Sequence, residues 1–187
     1  MKPLALLRSA ILLSTVCLAA CGSDDKKTVS GGAHFRLNGG AVSGACLDPT
    51  LDITISVKGE DGKDKLIPDG SDGSNVSCQY DDTHFSVSVQ GNRGYAVQAD
   101  GTFAAGKNQS TDAKILIVAG SNSYRSPSDK PCVVTFTKKE GGALLGRFVC
   151  PQLDYTKDAS KSCAVTALAA DGFTPESYFQ FADCGGF

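Results

Sequence analysis

Six cysteines, Cys46, Cys78, Cys132, Cys150, Cys163 and Cys184, lie beyond the N-terminal apolar segment, and their even number constrains the fold more than any other feature. Their meaning depends on the compartment. The chain opens with Lys2 and Arg8, followed by a nearly unbroken apolar run from Ala10 to Val16, the layout of a secretory signal. An exported chain folds where thiols oxidise, so an even set of cysteines reads as three disulfides. No CxxC spacing occurs, and His34 and His84 are the only histidines. Neither a zinc site nor a thioredoxin-like redox site is expected from such a set.

The apolar run closes on Leu18-Ala19-Ala20-Cys21. Small side chains at Ala19 and Ala20 let the backbone enter a peptidase cleft, and the Cys21 thiol can carry a diacylglyceryl thioether. Cys17 is the other thiol in reach, but Ser14 stands where Leu is wanted and the bulky Val16 precedes it. Read instead as an uncleaved membrane span, Leu4 to Ala20 sits at the lower edge of spanning length and contains Arg8. Over its first 21 residues the chain resembles bacterial lipoproteins. The resemblance implies that residues 1–20 are removed and that Cys21 becomes the first mature residue, lipid-bound through sulfur and, in many bacteria, N-acylated. The membrane is then a partner reached through covalent lipid, in the bacterial cell envelope. In this family an Asp after the lipidated Cys retains the protein at the inner membrane. Gly22 occupies that place here, which implies the outer membrane in a host that has one. Residues 21–32 are polar and without hydrophobic periodicity, so a flexible tether is expected there, and residues 33–187 form the folded domain.

Loss of residues 1–20 removes Lys2 and Arg8, taking the formal charge from −2 to about −4. A mildly acidic chain with no basic patch does not gather nucleic acid. The remaining length is enough for one domain with a real core. Trp is absent while Gly is abundant, a mixture that suits short strands and tight turns.

Alternation of period two supports this. Leu51, Ile53, Ile55 and Val57 alternate with polar residues, as do Phe85, Val87 and Val89. Ile115 to Ala119 is a continuous apolar run, expected to be a central strand buried on both faces. His34 to Leu37 and Tyr95 to Ala99 are weaker strand candidates. No amphipathic helix of ordinary length is present. The expected fold is all-β, an antiparallel β-sandwich stapled by disulfides.

The clearest unit runs from Pro131 to Pro151 around Lys139-Glu140-Gly141-Gly142. A turn centred on Gly141 sets Cys132 opposite Cys150, Val134 opposite Phe148 and Phe136 opposite Gly146, all on one face. Phe136 would then cover the strand glycine, and the other face would carry Thr135, Arg147, Thr137 and Lys139. This register fits a Cys132–Cys150 bridge. A second hairpin is expected from Cys163–Leu168 to Tyr178–Cys184, with Cys163 and Cys184 placed to pair. Cys46 with Cys78 follows by elimination. An exchange among Cys78, Cys150 and Cys184 would tie the two sheets together instead. The order of lipobox, polar tether and β domain also resembles small mycobacterial lipoprotein antigens, whose cysteines fall near an early strand and the C-terminus, where Cys78 and Cys184 stand here. That resemblance implies a non-catalytic envelope protein.

The chain offers little catalytic chemistry. Gly40-Ala41-Val42-Ser43-Gly44 has the letters of a nucleophile elbow but not their spacing. No metalloprotease, phosphate-loop or dinucleotide motif occurs. Asp81, Asp82 and His84 invite an acidic/His cleft of a hydrolase, although His84 falls on the face opposite Phe85, Val87 and Val89. Asp61, Asp64, Asp69, Asp72 and Asn75 offer hard oxygen ligands to calcium, in neither the EF-hand nor the nonapeptide order. Asp-Gly pairs serve tight turns equally well. Tyr95, Tyr124 and Arg125 are candidates for a contact patch toward glycan or protein. The expected role is a non-catalytic structural or binding module, with an envelope protein or a glycan such as peptidoglycan as partner; an envelope hydrolase is the alternative.

Overall fold

Alternating burial along nearly every strand sets the architecture. A computed structural model describes residues 27–39, 46–166 and 177–186. Among these lie β1 (Ser30–Arg36), β2 (Asp52–Ile55), β3 (Val57–Lys58), β4 (Asp64–Lys65), β5 (Ile67–Pro68), β6 (Asn75–Tyr80) and β7 (His84–Gln90). They are followed by β8 (Tyr95–Thr102), β9 (Gln109–Ala119), β10 (Asn122–Arg125), β11 (Cys132–Glu140), β12 (Ala143–Tyr155), β13 (Asp158–Val165) and β14 (Tyr178–Ala182). The only helical element among the described residues is a 3-10 turn, Ser71–Gly73. The signal segment and Cys21 lie outside the described residues, as do Ser43 and the connection 167–176.

All the inter-strand pairs are antiparallel, and one sheet runs β2-β1-β14-β12, then a lane shared by β11 and β10, then β9-β8-β7-β6. The sheet curls until its far edge meets the chain leaving β14, where Gly185 forms a bridge with Gln79. The result is a two-layered, sandwich-like β fold. Its core joins the layers through aromatic contacts: the Phe85 ring on β7 lies 4.9 Å from Phe136 on β11 and 6.4 Å from Phe179 on β14. The run Ile115–Ala119 is not buried on both faces. Ile115, Ile117 and Ala119 face the core, while Leu116 and Val118 are half-buried on the outer side. Its apolar continuity belongs to the sheet's flank rather than to a central parallel-type strand.

The hairpin of β11 and β12 keeps the expected register where it meets the core: Val134 pairs with Phe148 and Phe136 with Gly146, and Cys132 is bridged to Cys150. The turn itself is Gly141-Gly142, both at positive φ (59° and 74°), as a two-residue type I′ connection demands. That turn is one residue shorter than a turn centred on Gly141, and a bulge between Phe136 and Lys138 absorbs the difference. The bulge carries Lys139 to the core side, opposite buried Leu144, where its ammonium sits 3.7 Å from the Phe103 ring centroid. Lys139 therefore does not join Thr135 and Arg147 on the polar face. Nor is Phe136 the cover of Gly146. A Cβ there would fall 2.6 Å from Phe179, whose ring fills that space from β14.

Two of the expected bridges are replaced. Cys46 pairs with Cys163 and Cys78 with Cys184, across sequence separations of 117 and 106. The physical reason lies in β12. Its thirteen residues pair first with β14 (Leu144 to Arg147) and then with β13 (Cys150 to Tyr155), so β13 and β14 follow one another along the same edge instead of pairing. The second hairpin does not form, and Cys163 and Cys184 are carried apart. Cys78–Cys184 joins β6 to the end of β14, the tie between layers that the alternative pairing anticipated.

Ser30, Gly31 and Gly32, expected in the tether, belong to β1, and the two glycines are buried. A Cβ on Gly31 would lie 2.5 Å from the Phe181 ring and 2.9 Å from Val76. Glycine here permits close packing between strands, not flexibility.

Two outcomes follow from this packing. Gly31→Ala should destabilise the fold by about 1–3 kcal/mol in urea unfolding, the usual range for overpacking, whereas Gly39→Ala, with its nearest neighbour at 3.8 Å, should change little. Under native conditions, reduction mapped by alkylation and mass spectrometry should open Cys46–Cys163 and Cys78–Cys184 before Cys132–Cys150. Both sulfurs of the last pair are 0% exposed, so a reductant must wait for the fold to open. Early loss of Cys132–Cys150 would contradict this burial.

Candidate functional site

A flap and a strap enclose the best-formed cleft among the described residues. The flap is the two-stranded ribbon β3–β4, which leaves the main sheet after β2. The strap is the segment Ile67 to Asn75. It is fixed at several points: Ser74 Oγ donates to the Pro68 carbonyl at 3.0 Å, the Asp69 carboxylate accepts from the Val76 amide at 2.8 Å, and the Asp69 amide donates to the Val29 carbonyl at 2.9 Å. Between them opens a cavity of about 540 Å³, within the size range of small-molecule sites. Buried Ile55 and Ile67 form its floor, the half-buried Tyr95 one wall, and Asn92 and Arg93 of the β7–β8 turn its rim.

The flap is held by Asp64. Its carboxylate accepts from Lys58 Nζ at 2.8 Å and from Ser56 Oγ at 2.5 Å. Lys58 first and then Ser56 hold the carboxyl below its ordinary value of 3.8. The cleft thus combines an apolar floor, an aromatic wall and a polar rim.

The outer face of β6–β9 forms a second concavity, a shallow trough of about 520 Å³ bounded by Arg125 of β10. Its floor is made of outward-pointing hydroxyl and amide side chains.

The residues singled out for chemistry do not meet in either concavity. Asp81 caps its own turn, accepting from the Thr83 amide and hydroxyl and from the His84 amide at 2.6–2.8 Å. Those three bonds hold its carboxyl below the usual value. The Asp82 side chain is fully exposed beside Lys139, at 3.9 Å. His84 is exposed, with Nδ1 3.0 Å from the Thr83 hydroxyl. The Asp-rich segment is likewise divided among turns. Asp61 accepts from the Lys63 amide, Asp64 from Lys58 and Ser56, and Asp69 from the Val76 amide. Among the described residues no group of three or more His, Cys, Asp or Glu is placed to hold a metal ion.

Tyr124 is buried, not part of a contact patch. Its hydroxyl donates to Asp48 at 2.5 Å, and Asn122 donates to the same carboxylate at 2.9 Å, pinning the loop after Cys46. Burial, and then the Asp48 bond, push the phenol well above its ordinary value. Tyr95 and Arg125 line separate concavities.

Sequence reasoning passed over His34. It is 8% exposed, its Nε2 lies 2.7 Å from Asp52, and its ring stacks on Tyr178 with centroids 5.7 Å apart. Nδ1 has no hydrogen-bond partner, so no hydroxyl nucleophile is bonded to this His–Asp pair. The signal was present only as a lone His in an alternating strand. Arg93 and Asn92 gave no signal, because the opposite wall of their cleft comes from residues 54–74.

Comparison with protein-family models, curated proteins and solved structures returns no match.

The flap clamp carries a sign. A carboxyl with a lowered folded pKa stabilises the clamp above 3.8, and that contribution is lost as pH falls through the lower folded value. In an NMR titration the Asp64 carboxyl carbon should therefore show a midpoint below 3.8. Lys58→Met should raise that midpoint more than Ser56→Ala, and Asp64→Asn should speed tryptic cleavage at Lys63 and Lys65 several-fold with little change in Tm.

Proposed function

We propose that this chain is a bacterial envelope lipoprotein, fastened to a membrane through Cys21, whose β domain works as a non-catalytic binding or structural module. The observation that carries the proposal is Leu18-Ala19-Ala20-Cys21 at the end of an apolar run with a basic N-terminal flank. Support comes from the fold beside it. Three disulfides, two of them joining segments more than 100 residues apart, suit an oxidising compartment outside the cytoplasm. No helix among the described residues is long and apolar enough to cross a membrane.

The energetics are adequate. Each buried methylene contributes about 0.8 kcal/mol, one acyl chain binds marginally, and the two or three chains on a lipoprotein cysteine bind stably. Residues 22–29 separate Cys21 from β1 and, fully extended, reach about 26 Å. A module on such a tether samples the space beside the bilayer, where an envelope protein or a glycan would meet it. In a host with an outer membrane, Gly22 after Cys21 favours residence there. Asp81, Asp82 and His84 sit on one exposed turn and line neither the cleft nor the trough, which gives no support to a hydrolase, and the cleft beside Tyr95 suits binding.

The test is phase partition of a detergent extract from native host cells. The unaltered protein should enter the detergent-rich phase almost completely, and the Cys21→Ser form should retain residues 1–20 and carry no thioether lipid by mass. A native product found wholly in the aqueous phase, without added acyl mass, would overturn the proposal.

A further inference from the structure

We propose that the outer trough of β6–β10 binds an extended, carboxylate-bearing polysaccharide, with Lys114 and Arg125 holding its acid groups. This names a partner for the binding role proposed above and rests on that reading. It begins with the cross-strand registers. Ser77 pairs with Ser88, Ser88 with Gln98, Gln98 with Leu116, and Leu116 with Arg125, so these five residues form one row across five neighbouring strands. At about 4.8 Å between strands the row is about 19 Å long. That suits a polymer lying across the strands better than a single small molecule.

The chemistry of the row narrows the ligand. Beneath it β7, β8 and β9 are paired on both sides, so along most of the row recognition falls to side chains. Serine hydroxyls and glutamine and asparagine amides make up most of the surface, which matches the hydroxyls and amides of a glycan. The half-buried Leu116 is the only large apolar side chain in the trough, and no aromatic lines it. A protein interface built on buried aromatic anchors finds none here.

Charge decides the class of glycan. Lys114 lies two residues from Leu116 on the same face of β9, and Leu116 pairs with Arg125, so the two residues are diagonal neighbours whose Cα atoms are about 7–8 Å apart. The side chains of both are without an ion pair or hydrogen bond to any described residue. An acid stands across from each cation without bonding to it. Asp100, in register with Lys114, makes no ion pair with it within 4 Å, and Asp154, across from Arg125, accepts instead from Gln152 at 2.6 Å. Elsewhere on this chain lysines commonly sit beside acids, as Lys58 with Asp64 and Lys161 with Asp158 do. Two adjacent, unpaired cations repel each other, and a carboxylate placed between them removes that repulsion while gaining charge-assisted bonds. A nucleic acid is a poorer match. Its closely spaced phosphates need many cations, and here two stand beside Asp100 on an acidic protein.

The experiment uses the native lipoprotein in detergent micelles, with affinity electrophoresis through gels containing hyaluronan, polygalacturonate, carboxyl-reduced hyaluronan or a 30-base-pair DNA. At least one of the two acidic polymers should retard the protein, the reduced polymer should do so at least ten-fold more weakly, and added salt should weaken the interaction. Lys114→Gln with Arg125→Gln should reduce retardation at least ten-fold with an unchanged circular dichroism spectrum, while Arg93→Gln in the other cleft should leave it intact. Failure of both acidic polymers to bind, equal binding of the reduced polymer or of DNA, or an unaffected double variant would each overturn the inference. Detergent partition of the same preparation reads the anchor independently, so loss of one reading does not depend on the other.

Discussion

The curled sheet closes where β1 packs against β6 and β14, and the fold depends on how near those strands can come. Gly31 is the point of contact. With no side chain it admits the Phe181 ring and the Val76 methyl into space that a Cβ would occupy. Beside it Cys78–Cys184 ties β6 to the end of β14, and the Tyr80 amide donates to the Gly185 carbonyl at 3.1 Å. Each element restricts the same motion by a different means. The packing favours the closed roll through buried apolar area, and the backbone bonds satisfy edge groups that water would otherwise have to reach. The disulfide limits how far the unfolded chain can spread, an effect of about 4–5 kcal/mol for a loop of this length taken singly.

This closure explains why the local structure and the Cys132–Cys150 bridge were legible in the sequence and the two long-range disulfides were not. Alternation in Phe85-Val87-Val89 and the glycine pair at 141–142 are local signals, and each decided a strand or a turn without reference to the rest of the chain. The core register of β11 on β12 followed from matching one apolar face to another. Pairing of Cys163 and Cys184 was inferred from nearness along the chain, and nearness fails when a strand such as β12 changes neighbours halfway along. Gly31-Gly32 misled for a related reason. Composition alone does not separate a glycine that loosens a linker from one that admits a phenylalanine ring, because the ring is contributed 150 residues away.

The same logic governs the sites. Most acidic side chains in the turns are engaged locally: Asp81 with its own turn, Asp69 with the start of β6, Asp158 with Ser160. A sequence rich in Asp, Gly and Ser therefore suggests metal or acid–base chemistry while the carboxylates serve the backbone. The cleft and the trough carry no comparable motif. Each is assembled from residues that become neighbours only once strands pair, one between the strap and the β7–β8 turn and the other across five lanes of sheet. Their components could be named from the sequence as outward strand positions, but not their grouping.

The tether and the cleft are also mechanically adjacent. The Val29 carbonyl, immediately before β1, accepts from the Asp69 amide, and Ser30 pairs with Pro68 in β5. The strap that forms one wall of the cleft is thus bonded to the residues that lead into and begin β1. A pull along the tether reaches β1 and the strap together, and it is resisted by the antiparallel pairing of β1 with both β14 and β2. The load therefore enters the sheet near its closure at Gly31, instead of peeling the strap from the cleft.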